Sequence, residues 1–172
     1  MANPLISALD KKAALAAFIL GLVAILGAWG SQLFAGLVPC ELCLAQRQSY
    51  YWGLPILLIV LLIWNRLPLA VWYIAMAITA AIFAWGVYMG VYHAGVEWGF
   101  WPGPTACTGV GGGITSLGGG LDLNADRIVP CDAVQFRFLG ISLAGYNALV
   151  SLAIVALLLI AIWWQAVKVK RS

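Results

Sequence analysis

The chain has 172 residues, 64% of them hydrophobic and only 9% charged, with a mean hydropathy of +1.00. A water-soluble domain cannot hide that much apolar surface. The net charge of +3 forms no basic stripe of the kind that binds nucleic acid, and a single histidine excludes bis-histidine ligation of several haems.

Uncharged runs of about 18 or more apolar residues are the signature of transmembrane helices. The first run, residues 13–38, reads "AALAAFILGLVAILGAWGSQLFAGLV" and follows Asp10-Lys11-Lys12. It exceeds the apolar core of a signal peptide, about 7–15 residues, and so predicts a retained helix. The second span covers residues 48–65 and contains Pro55, which membrane helices tolerate when neighbours absorb the freed carbonyl. A very short connection at 65–68 leads into a third span at 69–92. Within it Gly86 and Gly90 form a small-x-x-x-small pair that lets another helix approach closely.

Residues 93–140 differ in character. Pro102, Pro104 and Pro130 each interrupt regular structure, and "GVGGGITSLGGG" at 109–120 favours a flexible loop. The aromatic side chains of "VEWGFW", 96–101, suit a membrane–water interface. Residues 121–129 are the one candidate for a short helix in this stretch. The fourth span covers 141–164 and ends in the tail "QAVKVKRS".

Four spans place both termini on one side. That side and the short second connection carry Lys11, Lys12, Arg66, Lys168, Lys170 and Arg171 against a single acid, Asp10. The other side carries Arg47, Arg127 and Arg137 against Glu41, Glu97, Asp122, Asp126 and Asp132. The positive-inside rule therefore predicts cytoplasmic termini and two outward loops, 39–47 and 93–140. The expected fold is all-α: one integral membrane four-helix bundle spanning residues 1–172, with a long flexible loop between helices 3 and 4. In a bacterium this places the chain in the inner membrane and both loops in the periplasm.

All four cysteines fall on the outward side. Cys40 and Cys43 form a C-x-x-C pair in the first loop, and Cys107 and Cys131 lie in the second. Two structural disulfides are the plain reading, in a non-enzymatic four-span protein. A bridge closing so small a loop as Cys40–Cys43 adds little stability, however, and tight pairs are more often redox-active or metal-binding. Zinc ranks below redox chemistry, because all-cysteine sites usually join two close-spaced knuckles and here the second pair is widely separated. Pro39 and Cys40 stand at the expected start of the second helix, whose partial positive charge stabilises a thiolate. Arg47 lies four residues after Cys43, on the same helical face. It suits stabilisation of a thiolate or a reduced anionic ligand, and equally suits snorkelling to lipid phosphate. A membrane-edge dithiol that is oxidised must pass on two electrons. The sequence contains no haem, iron–sulfur or nucleotide-binding pattern, which leaves the quinone pool of the bilayer as acceptor. The long-loop cysteines would then face water-soluble protein dithiols.

"CELCLAQR", with Cys40, Cys43 and Arg47, resembles the C-x-x-C-x-x-x-R unit of the disulfide-bond formation protein B family. "CDAVQFRFLGISLAGYN" places Gln135, Phe138, Leu139 and Gly140 after Cys131 as in that family, and "VYHAGVEWGFWPGPTAC" resembles the end of its third helix. The resemblance covers almost the whole chain. It implies a protein-dithiol:quinone oxidoreductase that reoxidises a periplasmic thioredoxin-like, DsbA-like disulfide donor and reduces ubiquinone or menaquinone, without metal or haem. It also implies redox-active disulfides Cys40–Cys43 and Cys107–Cys131. Cys107 would take the partner's attack, Cys40 would exchange with the loop pair, and Cys43, Arg47 and His93 would face the quinone. Two features depart from the family pattern: Gln46 stands where many members carry an acid, and the glycine-rich 109–120 is unusual.

Overall fold

A computed structural model describes residues 8–104 and 130–171. Among them are four long helices, α1 (Ala8–Phe34), α2 (Glu41–Leu62), α3 (Leu69–Glu97) and α4 (Leu143–Arg171). A 3-10 turn, Trp64–Arg66, joins α2 to α3, and a two-stranded hairpin, β1 (Arg137–Phe138) and β2 (Ile141–Ser142), leads into α4. Each helix packs on the next in sequence and α4 closes back on α1. Three of them, α1, α3 and α4, are long and apolar enough to cross a membrane. The fourth, α2, begins with the polar stretch Glu41–Tyr51, and only its second half is continuously apolar.

The bundle wears its apolar residues outside. Val23, Leu26, Ile59, Leu62, Ile74 and Leu152 are all more than half exposed, a surface that water would penalise and lipid would not. Between the helices sit large apolar side chains such as Trp72, Phe83 and Ile154, with small and polar groups among them. Gly90 of α3 rests against the backbone of α4: a Cβ there would lie 2.8 Å from the Ala148 nitrogen. Gly86 likewise faces the hydroxyls of Ser49 and Ser151. The small-residue pair read in the sequence is thus the α3–α4 contact surface. Tyr50 of α2 donates its hydroxyl proton to Asn147 Oδ1 of α4 at 2.6 Å, the kind of interhelical bond that holds helices together where no hydrophobic force acts between them.

Several expected boundaries shift. The first helix ends at Phe34 rather than 38, and α2 begins at Glu41, so Cys43 and Arg47 are helical rather than in a loop. The third helix runs through His93 to Glu97, beyond the expected end at 92, because "HAGVE" contains no proline and continues the apolar face: Val96 is buried. Helix α4 begins at Leu143, after a hairpin in an otherwise helical protein. The hairpin pairs Arg137 with Ser142 and Phe138 with Ile141. Its two linking residues, Leu139 and Gly140, both have positive φ, 49° and 82°, as a two-residue hairpin turn of matching twist requires. Leucine is a poor residue for that conformation, which is why the sequence does not announce the turn. Cys107, the glycine-rich 109–120 and the candidate helix 121–129 lie outside the described residues.

The aromatic stretch after α3 is ordered. Trp101 stacks on Tyr92 with ring centres 6.1 Å apart and donates its indole N–H to the Tyr92 carbonyl at 2.8 Å. Trp98 and Phe100 stay exposed, as expected of side chains that meet a membrane interface.

Candidate functional site

The site forms where the start of α2, the end of α3 and the start of α4 converge. Cys40 is the residue that caps α2: its backbone is extended and its sulfur accepts the Cys43 backbone N–H at 3.2 Å. A sulfur in that place meets the unpaired amides and partial positive charge of a helix N-terminus. Cys43, one turn along, brings its sulfur to 2.6 Å from that of Cys40. Both are free thiols, Cys40 buried and Cys43 partly so. The Cys40 thiol hydrogen-bonds to the Cys43 sulfur and holds the Cys43 thiol below its ordinary range, against the opposing effect of burial; Arg47 adds to the lowering. The same hydrogen bond, with burial, pushes Cys40 upward. The pair is therefore polarised, with Cys43 the more acidic thiol and Cys40 the less acidic.

Arg47 lies on the Cys43 face of α2 but is tethered elsewhere. Its Nη1 donates to Gln32 Oε1 at 2.9 Å and its Nη2 to the Ala28 carbonyl at 3.2 Å, both on α1. This holds the part-buried guanidinium across the gap between α1 and α2.

His93 is buried in α3, one turn before its end at Glu97, not in a loop. Its Nε2 lies 3.6 Å from the Cys40 sulfur and 3.2 Å from the Cys131 carbonyl. Its Nδ1 lies 2.6 Å from Gln46 Nε2. Cys131 is buried and disulfide-bonded, so the structure brings Cys40, Cys43, His93 and Cys131 together, with Arg47 beside them. Cys107, the remaining predicted site residue, is outside the described residues.

Cys40, Cys43 and His93 are close enough to be considered as a metal-ligand set. The sulfur spacing does not match one tetrahedral zinc. A tetrahedral zinc with Zn–S bonds of about 2.3 Å would spread two sulfurs to about 3.7 Å, whereas these sulfurs are 2.6 Å apart. The histidine nitrogen nearest them is committed to a backbone carbonyl.

A cavity of about 350 Å³ opens beside the pair. Cys43, Arg47, His93 and Glu97 line it together with apolar side chains of α1 and α4, such as Val23 and Val150. Its volume falls within the usual range for small-molecule sites, about 300–1,000 Å³. Two of its lining residues hold hydrogen-bonding capacity that no described residue uses: Glu97 Oε2 and Asn147 Nδ2 are buried without a partner among the described residues. Such groups are costly unless something fills the space.

The family model for disulfide bond formation protein DsbB matches residues 10–161. The chain belongs to the DsbB family. No curated protein and no solved structure matches it. As a DsbB-family member it is a disulfide-bond formation protein, and its apolar helices make it a membrane protein.

Three residues of this site carry no role in the sequence reading. Gln46 follows Cys43 by three residues, which in a helix brings it to the same side, but its partner lies 47 positions away. Glu97 is four residues after His93 and approaches it to 3.9 Å; an acid so close to an apolar run was the available signal. Gln135 holds the backbone of Val38 from both sides, donating to its carbonyl at 2.6 Å and accepting its N–H at 3.1 Å. That clamp ties the segment after Cys131 to the segment before Cys40.

Proposed function

We propose that the protein is a membrane protein-dithiol:quinone oxidoreductase, a single four-span unit with periplasmic cysteine segments and cytoplasmic termini. It takes electrons from a thioredoxin-like, DsbA-like dithiol partner and passes them to quinone. The observation that carries this reading is the position of Cys43. The more acidic sulfur of a free, polarised dithiol faces a mostly apolar cavity, with Arg47 fixed beside it.

The residues present fit a quinone. Apolar walls from α1 and α4 suit its ring, while Arg47 and the Asn147 amide, whose nitrogen has no partner among the described residues, are donors suited to carbonyl oxygens. Bound there, the quinone would supply acceptor capacity for two electrons and two protons. Arg47 would hold it and favour negative charge on it, and the walls would exclude water.

The thiol chemistry runs through two exchanges. A partner thiolate attacks Cys107 of a Cys107–Cys131 disulfide, forming a mixed disulfide and releasing the Cys131 thiolate; the partner's second thiol then displaces Cys107. The partner leaves oxidised and the loop pair is reduced. The loop dithiol next reduces a Cys40–Cys43 disulfide by the same two steps, with Cys40 as the sulfur attacked and Cys43 as the thiolate released into the cavity. Cys43 is the better leaving group because its thiol is the more acidic of the two.

The test is anaerobic reduction of ubiquinone or menaquinone analogues by the detergent-purified protein, with a reduced thioredoxin-like oxidant as donor. Turnover in the wild type that vanishes in Cys43→Ser is the expected result. A protein whose cysteines resist mild exchange and which reduces no quinone would instead be a four-span scaffold with structural disulfides.

A further inference from the structure

We propose that Gln46 is a positioning residue that fixes His93 as the neutral imidazole protonated at Nε2, turning an N–H toward Cys40 and the backbone of Cys131. Two contacts point to the same tautomer. The Cys131 carbonyl, 3.2 Å from Nε2, can only accept, so Nε2 carries the hydrogen. The Gln46 amide nitrogen, 2.6 Å from Nδ1, can only donate, so Nδ1 presents its lone pair. A second ring proton would set N–H against N–H inside a site where His93 is only 3% exposed.

The surroundings make this assignment consequential. From α2, the Cys40 sulfur lies 3.6 Å from Nε2, with Cys43 directly behind it. From α3 itself, Glu97 Oε1 lies 3.9 Å from the same nitrogen. Ser142, the last residue of β2, hydrogen-bonds to Glu97, and Arg137 acts on the same carboxyl. A carboxylate so near would ordinarily draw a second proton onto the ring. The Gln46 donor on the far side opposes it. One N–H thus serves both cysteine pairs: it holds the Cys131 backbone and faces the sulfur of Cys40. In the reaction proposed above, on which this part of the inference rests, His93 stabilises negative charge on Cys40 as a donor and is not its base.

The chain's single histidine makes the test direct. Nitrogen-15 histidine labelling of the full-length protein in detergent micelles yields one imidazole, whose shifts and one-bond N–H couplings distinguish the two neutral tautomers and the cation. At neutral pH the wild-type ring is expected to carry one proton, at Nε2. Gln46→Glu replaces the donor with an acceptor and is expected to place a proton on Nδ1. Gln46→Ala is expected to lose the preference and give a mixture. A wild-type ring protonated at Nδ1 or at both nitrogens overturns the proposal, as does a ring unchanged in Gln46→Glu. Gln46→Ala keeps the test open where Gln46→Glu fails to fold: a ring as uniformly Nε2-protonated as the wild type would also overturn the role of Gln46. The readout does not use turnover, so an inactive protein with this tautomer counts against the oxidase reading alone, and an active protein without it counts against the tautomer alone.

Discussion

At the end of the bundle where α1 begins and α4 finishes, Trp64 and Trp72 meet edge to face, 5.7 Å apart at 86°, and both are buried. Asp10 of α1 and Lys168 of α4 close that end with a 3.1 Å ion pair. At the opposite end the buried groups are thiols, an imidazole, amides and a carboxyl, set around an open cavity. The first end uses large aromatic side chains and one ion pair to fix the helices. The second keeps an open cavity beside the thiol pair. The helices are shared, but the cysteine end adds segments from outside them: the Cys131 backbone carbonyl meets His93, and Gln135 clamps the backbone of Val38.

Substitutions at the two ends should therefore separate activity from stability. The largest expected effect is at the cysteine end. Cys43→Ser should reduce dithiol-to-quinone turnover to background while leaving thermal unfolding in detergent almost unchanged, because the side chain is only partly buried and keeps its shape. Arg47→Ala should raise the quinone KM by roughly tenfold, the worth of about one charge-assisted hydrogen bond, while leaving the KM for the dithiol partner unaltered. Equal quinone kinetics in that variant would remove Arg47 from the acceptor site and leave it as a tether between α1 and α2.

The comparison inverts for packing. Gly90→Val places a branched side chain where even a Cβ would meet the Ala148 backbone at 2.8 Å. It should destabilise the protein by about 1–3 kcal/mol, visible as a lowered melting temperature in detergent. Lys168→Met should cost roughly 1–2 kcal/mol, less than a fully buried pair because the lysine is one-third exposed. It should leave turnover intact; a matching loss of turnover would mean that the two ends are mechanically coupled.

Much of this was legible in the sequence, for reasons particular to each element. Long uncharged runs announce the apolar helices because composition alone decides their solvent. The C-x-x-C-x-x-x-R spacing announces the thiol pair because helix periodicity carries Arg47 to the face of Cys43. The Gly86–Gly90 spacing announces a close helix contact, and Ala148 supplies it. Illegible were the contacts made between distant segments: Gln46 with His93, Arg47 with Gln32, Gln135 with Val38. No local pattern encodes those pairs. The extension of α3 to Glu97 was missed because proline and glycine further along made the whole stretch read as loop, although the first proline after His93 is Pro102.

The finest distinction lies within the dithiol. Cys43 is held below the ordinary thiol range chiefly by the hydrogen bond from Cys40, so it should exist as thiolate at a pH where a free cysteine is still protonated. Alkylation of the reduced protein by iodoacetamide should therefore begin at Cys43, and its rate should fall only as pH drops through that lowered value. Cys40→Ala removes the largest cause of the lowering while burial, which acts in the opposite direction, remains. The alkylation midpoint of Cys43 should then move up in pH, and mass spectrometry of modified peptides across a pH series would locate it. If the midpoint stayed low without Cys40, the N-terminus of α2 and Arg47 would be sufficient to hold the thiolate, and the cysteine end would owe its polarity to the helix rather than to the pair.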